Sequence, residues 1–205
     1  LALYMGPKLA RRTPFFYGWV ILFAAGTSQF VRNAVASLTL AVFVYPMTQE
    51  LGWSRTLIGG AVSLGGLVAS GASPSMGWLV DRLGARVVLS ISILAVGLST
   101  ISLAWATAPL VFYLGFGVGR VLFLAPIPIG SSVLVSHWFV KRRGRAIGIL
   151  FASHAAGMTV FPLVASLIIE ARGWQMAWLV LGSMVWLIAL GPASLLIIQN
   201  PEQVG

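Results

Sequence analysis

Residues 77–108 read GWLVDRLGARVVLSISILAVGLSTISLAWATA, and they set the fold class of this chain. The opening ten residues contain three charged side chains, Asp81, Arg82 and Arg86, whereas the run from Val87 to Ala108 contains none. A helix needs about 20 predominantly apolar residues to cross ~30 Å of hydrocarbon. The run therefore predicts a membrane-spanning helix that begins beside a short charged loop.

The rest of the chain has the same character. Hydrophobic residues make up 59% of the 205 residues and charged residues only 8%, whereas a soluble domain carries about 25% charged residues. The mean hydropathy is +0.96. A chain so poor in charge cannot cover a surface that faces water, so the lipid bilayer is its expected partner and solvent.

Six apolar segments are long enough to span a bilayer. They cover residues 17–45, 57–79, 87–108, 110–136, 146–169 and 174–198. They lack the apolar/polar alternation of membrane β-strands, and in lipid a helix satisfies its own backbone hydrogen bonds. The prediction is an all-α membrane protein with a six-helix transmembrane bundle at 17–198, preceded by a cytoplasmic segment at 1–16 and followed by one at 199–205.

The basic residues between these segments predict the orientation of the bundle. One side receives Lys8, Arg11, Arg12, Arg82, Arg86, Lys141, Arg142, Arg143 and Arg145. The opposite side receives only Arg55 and Arg172. Because cytoplasmic loops are enriched in Lys and Arg, we expect the amino terminus to be cytoplasmic and the protein to reside in the cell (inner) membrane. The first apolar run is too long for a signal peptide and predicts an uncleaved helix.

Several other classes of protein are excluded by composition. The formal net charge is +9, but the basic residues occupy gaps between apolar runs instead of following a polar face, so we expect no nucleic-acid partner. There are no cysteines, and two histidines with four acids are too few to suggest a metal site. No nucleophile–base set, paired carboxylates or phosphate loop is present. We therefore predict no metal, no cofactor and no enzymatic activity.

The charged loop within residues 77–86 has the pattern G-x-x-x-D-R-x-G-x-R. It resembles the signature that the major facilitator superfamily carries between its second and third helices. The resemblance implies one half of a major facilitator fold, with six helices arranged as 3+3 inverted repeats. It also implies a conformational gate that bridges the two halves of the transporter when the cytoplasmic side is closed. The residues assigned to this gate are Gly77, Asp81, Arg82, Gly84 and Arg86.

The residues of the loop are chemically suited to such a gate. Gly77 would let the end of the second helix approach a neighbouring backbone, and Gly84 allows a tight turn. Asp81 requires a cation or a helix amino terminus as its partner. Arg82 and Arg86 offer cationic partners.

A second motif, WFVKRRGRAIG at residues 138–148, is similar to a pattern in monocarboxylate transporters and their oxalate/formate-antiporter relatives. The pattern differs at Arg145, where that family usually has leucine. Gly18-Trp19 is similar to the Gly-Trp opening of the first helix in the family. The resemblance implies a carrier for a small organic anion, although the first-helix lysine of that family would fall near Ser37 of this chain.

Two basic residues fall inside predicted helices. Arg32 lies ~20 Å along the first helix from Trp19, and Arg120 lies ~16 Å along the fourth from Pro109, so both are expected near the middle of the bilayer. An ionisable group there costs ~2.5–3.5 kcal/mol on insertion scales and normally faces a cavity or a partner. The acids of the chain are all predicted away from mid-depth: Glu50, Asp81, Glu170 and Glu202.

Our hypothesis is that Arg32 and Arg120 line a water-filled cavity and bind an anionic substrate through guanidinium–carboxylate hydrogen bonds. Gln29 and Asn33 would add polar contacts. The alternative is that each arginine pairs with an acid in an absent second half or with backbone carbonyls. His154 is a candidate for proton coupling because an unperturbed histidine has a pKa of about 6.5, and the alternative for it is a hydrogen bond within a helix interface.

The function predicted from these residues is secondary active transport by alternating access. The substrate is expected to be a mono- or dicarboxylate, moved by proton symport or by exchange. One alternative is a major facilitator carrier of another substrate class, such as a drug exporter or a sugar carrier. A non-transporting membrane scaffold or receptor is another. A channel would require a re-entrant pore segment, and the loops are too short to contain one.

The length of the chain bears on what accompanies it. Family members normally carry twelve helices, with the substrate site between two six-helix halves, so 205 residues supply one half. Because the chain also begins with Leu1 and not Met, we expect it to be part of a longer protein that contains the missing carboxy-terminal half. The alternative is assembly with a second copy.

Overall fold

A computed structural model describes residues 16–198 of the chain. The predicted terminal segment at 199–205, with Glu202, lies outside the described residues, as does the segment at 1–16 except for Phe16. Three of the basic residues used to predict the orientation also lie outside them: Lys8, Arg11 and Arg12.

The described residues form six helices that are long and apolar enough to cross a membrane. We label them by their bounds: α1 (Gly18–Leu51), α2 (Arg55–Leu83), α3 (Ala85–Trp105), α4 (Pro109–Trp138), α5 (Arg143–Arg172) and α6 (Trp174–Leu196). No strand occurs between residues 16 and 198. The predicted all-α membrane fold with six spanning helices is confirmed, and the helices contain the predicted apolar segments almost entirely.

Glycines separate several of the helices. Gly52, Gly84 and Gly173 have φ values of +68°, +84° and +85° and follow α1, α2 and α5. Such backbone conformations are unfavourable for residues with a Cβ atom, so glycine ends a helix there at little steric cost. After the first of these turns, the hydroxyl oxygen of Ser54 accepts a hydrogen bond from the Leu57 N–H at 3.1 Å and caps the start of α2.

Two spans are broken near their middles. In α1 the helix Gly18–Val31 passes through a 3-10 turn, Arg32–Val35, before the helix Ser37–Leu51 begins. The Thr39 hydroxyl donates to the Asn33 carbonyl oxygen at 2.6 Å and so satisfies an acceptor at the break. In α4 the break follows Leu124, where Pro126 has no backbone N–H to continue the helix.

The packing of the spans follows the predicted repeat. α1 packs on α5, α4 packs on α2, and α3 packs on α6. If the triplets α1–α3 and α4–α6 correspond, the first two of these contacts are equivalent and the third joins equivalent helices, as inverted repeats require. α2 and α5 are the least buried spans. The arrangement leaves the broken helices α1 and α4 in contact at the centre of the bundle.

The end of α1 is fastened to the start of α6 by an acid. Glu50 accepts hydrogen bonds from Trp174 Nε1 at 2.6 Å and from Gln175 Nε2 at 2.8 Å. Hydrogen bonds to a charged acceptor are stronger than neutral ones. This carboxylate is therefore engaged at the end of the bundle, far along α1 from Arg32.

Candidate functional site

The two breaks bring Arg32 of α1 against α4. The Arg32 side chain is only 8% exposed, and its Nη1 donates a hydrogen bond to the carbonyl oxygen of Phe123 at 2.6 Å. Phe123 lies two residues before Ala125, where α4 is interrupted. The predicted alternative of a backbone-carbonyl partner thus describes one of the contacts of Arg32.

Arg120 approaches the same phenylalanine. The guanidinium carbon of Arg32 lies 4.6 Å from the centroid of the Phe123 ring, and that of Arg120 lies 4.9 Å from it. A cation within about 6 Å of an aromatic centroid is attracted by the ring quadrupole. The structure therefore brings together the two arginines singled out in the sequence and places one ring in contact with both.

The two guanidiniums have no acidic partner in the described part of the chain. Its acids are at or near helix ends: Glu50, Asp81 and Glu170. Attraction to one ring is worth ~0.5–2 kcal/mol, whereas an ionisable group at mid-bilayer costs ~2.5–3.5 kcal/mol. The ring alone does not offset two such charges, so an anion at this position would be strongly favoured.

Asn33 and His154 form the second part of the cluster. Asn33 Nδ2 lies 3.0 Å from His154 Nδ1 and 3.2 Å from the His154 carbonyl oxygen. It also lies 3.2 Å from the Gln29 carbonyl oxygen and 3.1 Å from that of Phe30. When Asn33 donates to Nδ1, the proton of the neutral imidazole is on Nε2. The His154 ring in turn lies 6.0 Å from the ring of Phe123, so both parts form one site.

Four buried polar atoms of this site have no hydrogen-bond partner among the described residues. They are Gln29 Oε1, Arg32 Nε, Asn33 Oδ1 and Arg120 Nε. An unsatisfied buried polar group costs about 1–3 kcal/mol. The cluster is therefore incomplete as a purely structural network and has donors and acceptors left for another group.

Two glycines make room for these side chains. A Cβ atom at Gly65 of α2 would lie 2.8 Å from Cβ and Cγ of Arg120. A Cβ atom at Gly157 of α5 would lie 2.5 Å from Asn33 Nδ2. Both distances are shorter than van der Waals contact, so the site as built requires glycine at these positions.

The sequence analysis missed Phe123, Gly65 and Gly157. One of them had a readable signal, because Phe123 lies three residues after Arg120 and residues at that spacing share a helix face. The contact between Arg32 and Phe123 had none, because it joins positions 91 residues apart.

The predicted gate residues lie at the ends of α2 and α3. Asp81 and Arg82 are exposed, and the guanidinium carbon of Arg82 lies 5.0 Å from the ring centroid of Trp78. A Cβ atom at Gly77 would meet no atom within 4 Å, so the predicted close approach does not occur within this bundle.

The last gate residue, Arg86, binds α6. Its Nε and Nη2 donate to the Ser194 carbonyl oxygen at 3.0 and 2.7 Å. Ser194 lies in the π-helical turn Pro192–Leu196 at the end of α6. Arg86 therefore joins the start of α3 to the end of α6, a contact that the loop motif did not indicate.

Comparison with known proteins gives one family. The model of the Major Facilitator Superfamily matches residues 8–205. The chain is 28% identical over 182 residues to the "Probable L-galactonate transporter" of Escherichia coli, covering 84% of this chain and 37% of that protein. It is 23% identical over 169 residues to "Monocarboxylate transporter 6" of Mus musculus, covering 82% of this chain and 36% of that protein.

A third relative has a different substrate in its name. Over 127 residues the chain is 32% identical to the "Riboflavin transporter RibJ" of Trypanosoma brucei brucei, covering 58% of this chain and 22% of that protein. In each comparison the matched part spans well under half of the relative's own length.

Proposed function

The chain belongs to the major facilitator superfamily, and from this we propose that it is the amino-terminal half of a secondary transporter that carries a small organic anion by alternating access. The observation that carries the proposal is the contact of Arg32 and Arg120 with one Phe123 ring. No carboxylate of the described residues neutralises them. A negatively charged solute would supply the missing counter-charge.

The proposed substrate is a mono- or dicarboxylate. A guanidinium presents a planar fork of N–H donors that matches both oxygens of a carboxylate. The names of two relatives, a galactonate transporter and a monocarboxylate transporter, also specify carboxylates. Gln29 and Asn33 are the proposed polar contacts, because each has an acceptor oxygen without a partner in this bundle.

Proton symport or exchange is the proposed driving reaction. His154 is the candidate proton carrier because Asn33 connects its ring to the helix that carries Arg32. Protonation of Nδ1 would turn this acceptor into a donor and break the hydrogen bond from Asn33. Proton binding would thereby loosen one contact between α1 and α5 next to the proposed anion site.

The gate is proposed to work through Asp81. This carboxylate is exposed at the end of α2 and has no hydrogen bond or ion pair with another described residue. A partner in a second six-helix half would form when the side bearing the basic loops closes. We propose that this side is cytoplasmic, as the bias of basic residues indicates, and that the membrane is the inner membrane of the cell.

A further surface supports the presence of a second half. Between α2 and α4 lies an apolar groove of about 460 Å³, lined by residues that include Leu64, Val68, Leu114 and Val118. We propose that helices of the carboxy-terminal half, or less simply those of a second copy, pack along this groove.

The alternatives differ in the substrate. The riboflavin transporter among the relatives, together with the aromatic ring at the site, favours an aromatic solute as the second candidate. Drug efflux, sugar transport and a non-transporting scaffold make no use of two unneutralised arginines. The chain is not proposed to be an enzyme.

The deciding experiment is uptake by the full-length protein in proteoliposomes. A panel of labelled mono- and dicarboxylates is compared with neutral sugars and with riboflavin, with and without an imposed pH gradient. Saturable uptake confined to carboxylates supports the proposal. Saturable uptake of the neutral solutes alone would reject the anion assignment.

A further inference from the structure

A separate groove lies at the end of the bundle that carries the basic loops. It has a volume of about 430 Å³ and lies between the start of α1 and the connection from α4 to α5. Its apolar wall is formed by Phe16, Trp19, Trp138 and Phe139, and its rim carries Lys141 and Arg142. The groove is remote along α1 from Arg32 and has no part in the proposed transport site.

The aromatic wall is built before any ligand arrives. The ring centroid of Phe139 lies 5.4 Å from that of Phe16 and 5.6 Å from that of Trp19, both in edge-to-face geometry. Trp138 Nε1 donates to the Ile198 carbonyl oxygen at 3.0 Å, which fixes the indole against the end of α6. Edge-to-face aromatic pairs contribute about 0.5–1.5 kcal/mol each. The wall is therefore rigid, yet Phe16 and Trp19 remain about half exposed.

The rim is strongly cationic. Lys141 and Arg142 are exposed and are followed by Arg143 and Arg145. α5 begins at Arg143 without a side-chain cap and without an acid in its first turn, so its peptide dipoles add to the positive potential. In the described part of the chain, Asp81 is the one acid that lies in a connection on this side. The rim is thus suited to a phosphate group.

The groove continues into the bundle along an apolar path. Trp19 also lines a second groove of about 420 Å³ between α1 and α5, whose other residues include Phe23, Phe30 and Ile149. From Trp19 to Phe30 the helix rises ~16 Å, which matches one leaflet, half of the ~30 Å hydrocarbon thickness. A ligand with a charged head and an apolar tail of leaflet length fits this shape.

The geometry points to a binding site for an anionic phospholipid of the leaflet that meets this face, with the phosphate between Lys141 and Arg142 and an acyl chain beside Trp19 in the α1/α5 groove. A free phosphate or phosphorylated solute would share the cationic rim but would leave the aromatic wall and the apolar path unused. Basic pockets beside membrane helices recognise anionic headgroups by this combination of charge and depth.

The test measures lipid binding to the full-length protein in detergent. Native mass spectrometry compares phosphatidylglycerol with phosphatidylcholine, and Lys141→Gln/Arg142→Gln is set against the matched variant Arg143→Gln/Arg145→Gln. We expect the first variant to lower phosphatidylglycerol affinity about 30-fold, since each basic residue near a surface contributes about five-fold, and the second to change it less than about three-fold. An equal loss in both variants would mean that general surface charge holds the lipid, and the site would be rejected.

Two further arms identify the ligand. Glycerol 3-phosphate without acyl chains should bind far more weakly than phosphatidylglycerol, and equal binding would show a soluble-anion site instead. Phosphatidylglycerol brominated on its acyl chains should quench tryptophan fluorescence, and Trp19→Phe should remove more of this quenching than Trp105→Phe at the opposite end of the bundle. Equal effects would show that no acyl chain enters the α1/α5 groove. Because all readouts are binding, the result is independent of the solute that the protein carries.

Discussion

Asn33 Nδ2 on α1 lies 3.0 Å from His154 Nδ1 on α5. This contact joins a spanning helix at its break to a continuous helix, one residue away from the buried guanidinium of Arg32. The donor of the pair is an amide, so the imidazole nitrogen must accept and must be unprotonated while the contact lasts. A proton on His154 and the packing of α1 on α5 are therefore linked at the proposed anion site.

Removal of either arginine should abolish the anion preference. Arg32→Gln and Arg120→Gln remove hydrogen bonds to a charged group, which are worth about 1.5–3 kcal/mol each, so carboxylate uptake should fall about 10- to 150-fold. Arg32→Lys should restore little, because an ammonium lacks the planar fork. Uptake in proteoliposomes measures the effect. Arg55→Gln, at the exposed start of α2, is the control, and normal uptake by both arginine variants would contradict the site.

A methyl group at Gly157 should disturb the site through Asn33. The added Cβ would lie 2.5 Å from Asn33 Nδ2, and overpacking of this kind typically costs about 1–3 kcal/mol. We expect Gly157→Ala to lower the unfolding temperature and to reduce uptake. Gly148→Ala on the same helix meets no atom within 4 Å and should do neither. If both variants behave alike, the close contact between α1 and α5 is not required.

Loss of His154 should separate transport from the proton gradient. His154→Gln removes the titratable ring, so uptake driven by a pH gradient should fall to the level seen without one, while exchange of internal for external substrate continues. His137→Gln, an exposed residue near the end of α4, is the matched control and should keep the pH response. A full response in His154→Gln would assign proton coupling to another group.

Arg86 should contribute to stability as well as to the proposed gate. Arg86→Gln removes two donors from the Ser194 carbonyl oxygen, and a hydrogen bond from a charged group is worth about 1.5–3 kcal/mol. The unfolding temperature in detergent should therefore fall. Arg82→Gln loses only the contact of an exposed guanidinium with Trp78 and should change it little. An equal change in both variants would deny the α3–α6 link its role.

Much of the site was accessible from the sequence. Arg32 and Arg120 were identified because a charged residue inside an apolar run is costly in lipid, and Gln29 and Asn33 were identified by proximity to Arg32. Their roles remain predictions. Phe123, Gly65 and Gly157 were not identified, because an apolar ring or a glycine inside a membrane helix has many uses and no cost that marks it.

The amino-acid sequence by itself determined the six spans, their class and the side that bears the basic loops. These properties are local: the length of an apolar run and the charges at its ends determine whether a segment enters lipid. Only the tertiary structure decided that Arg32 and Arg120 share the Phe123 ring and that Asn33 meets His154. These contacts join residues 91 and 121 positions apart, and they depend on where α1 and α4 break and on which faces of the helices pack together.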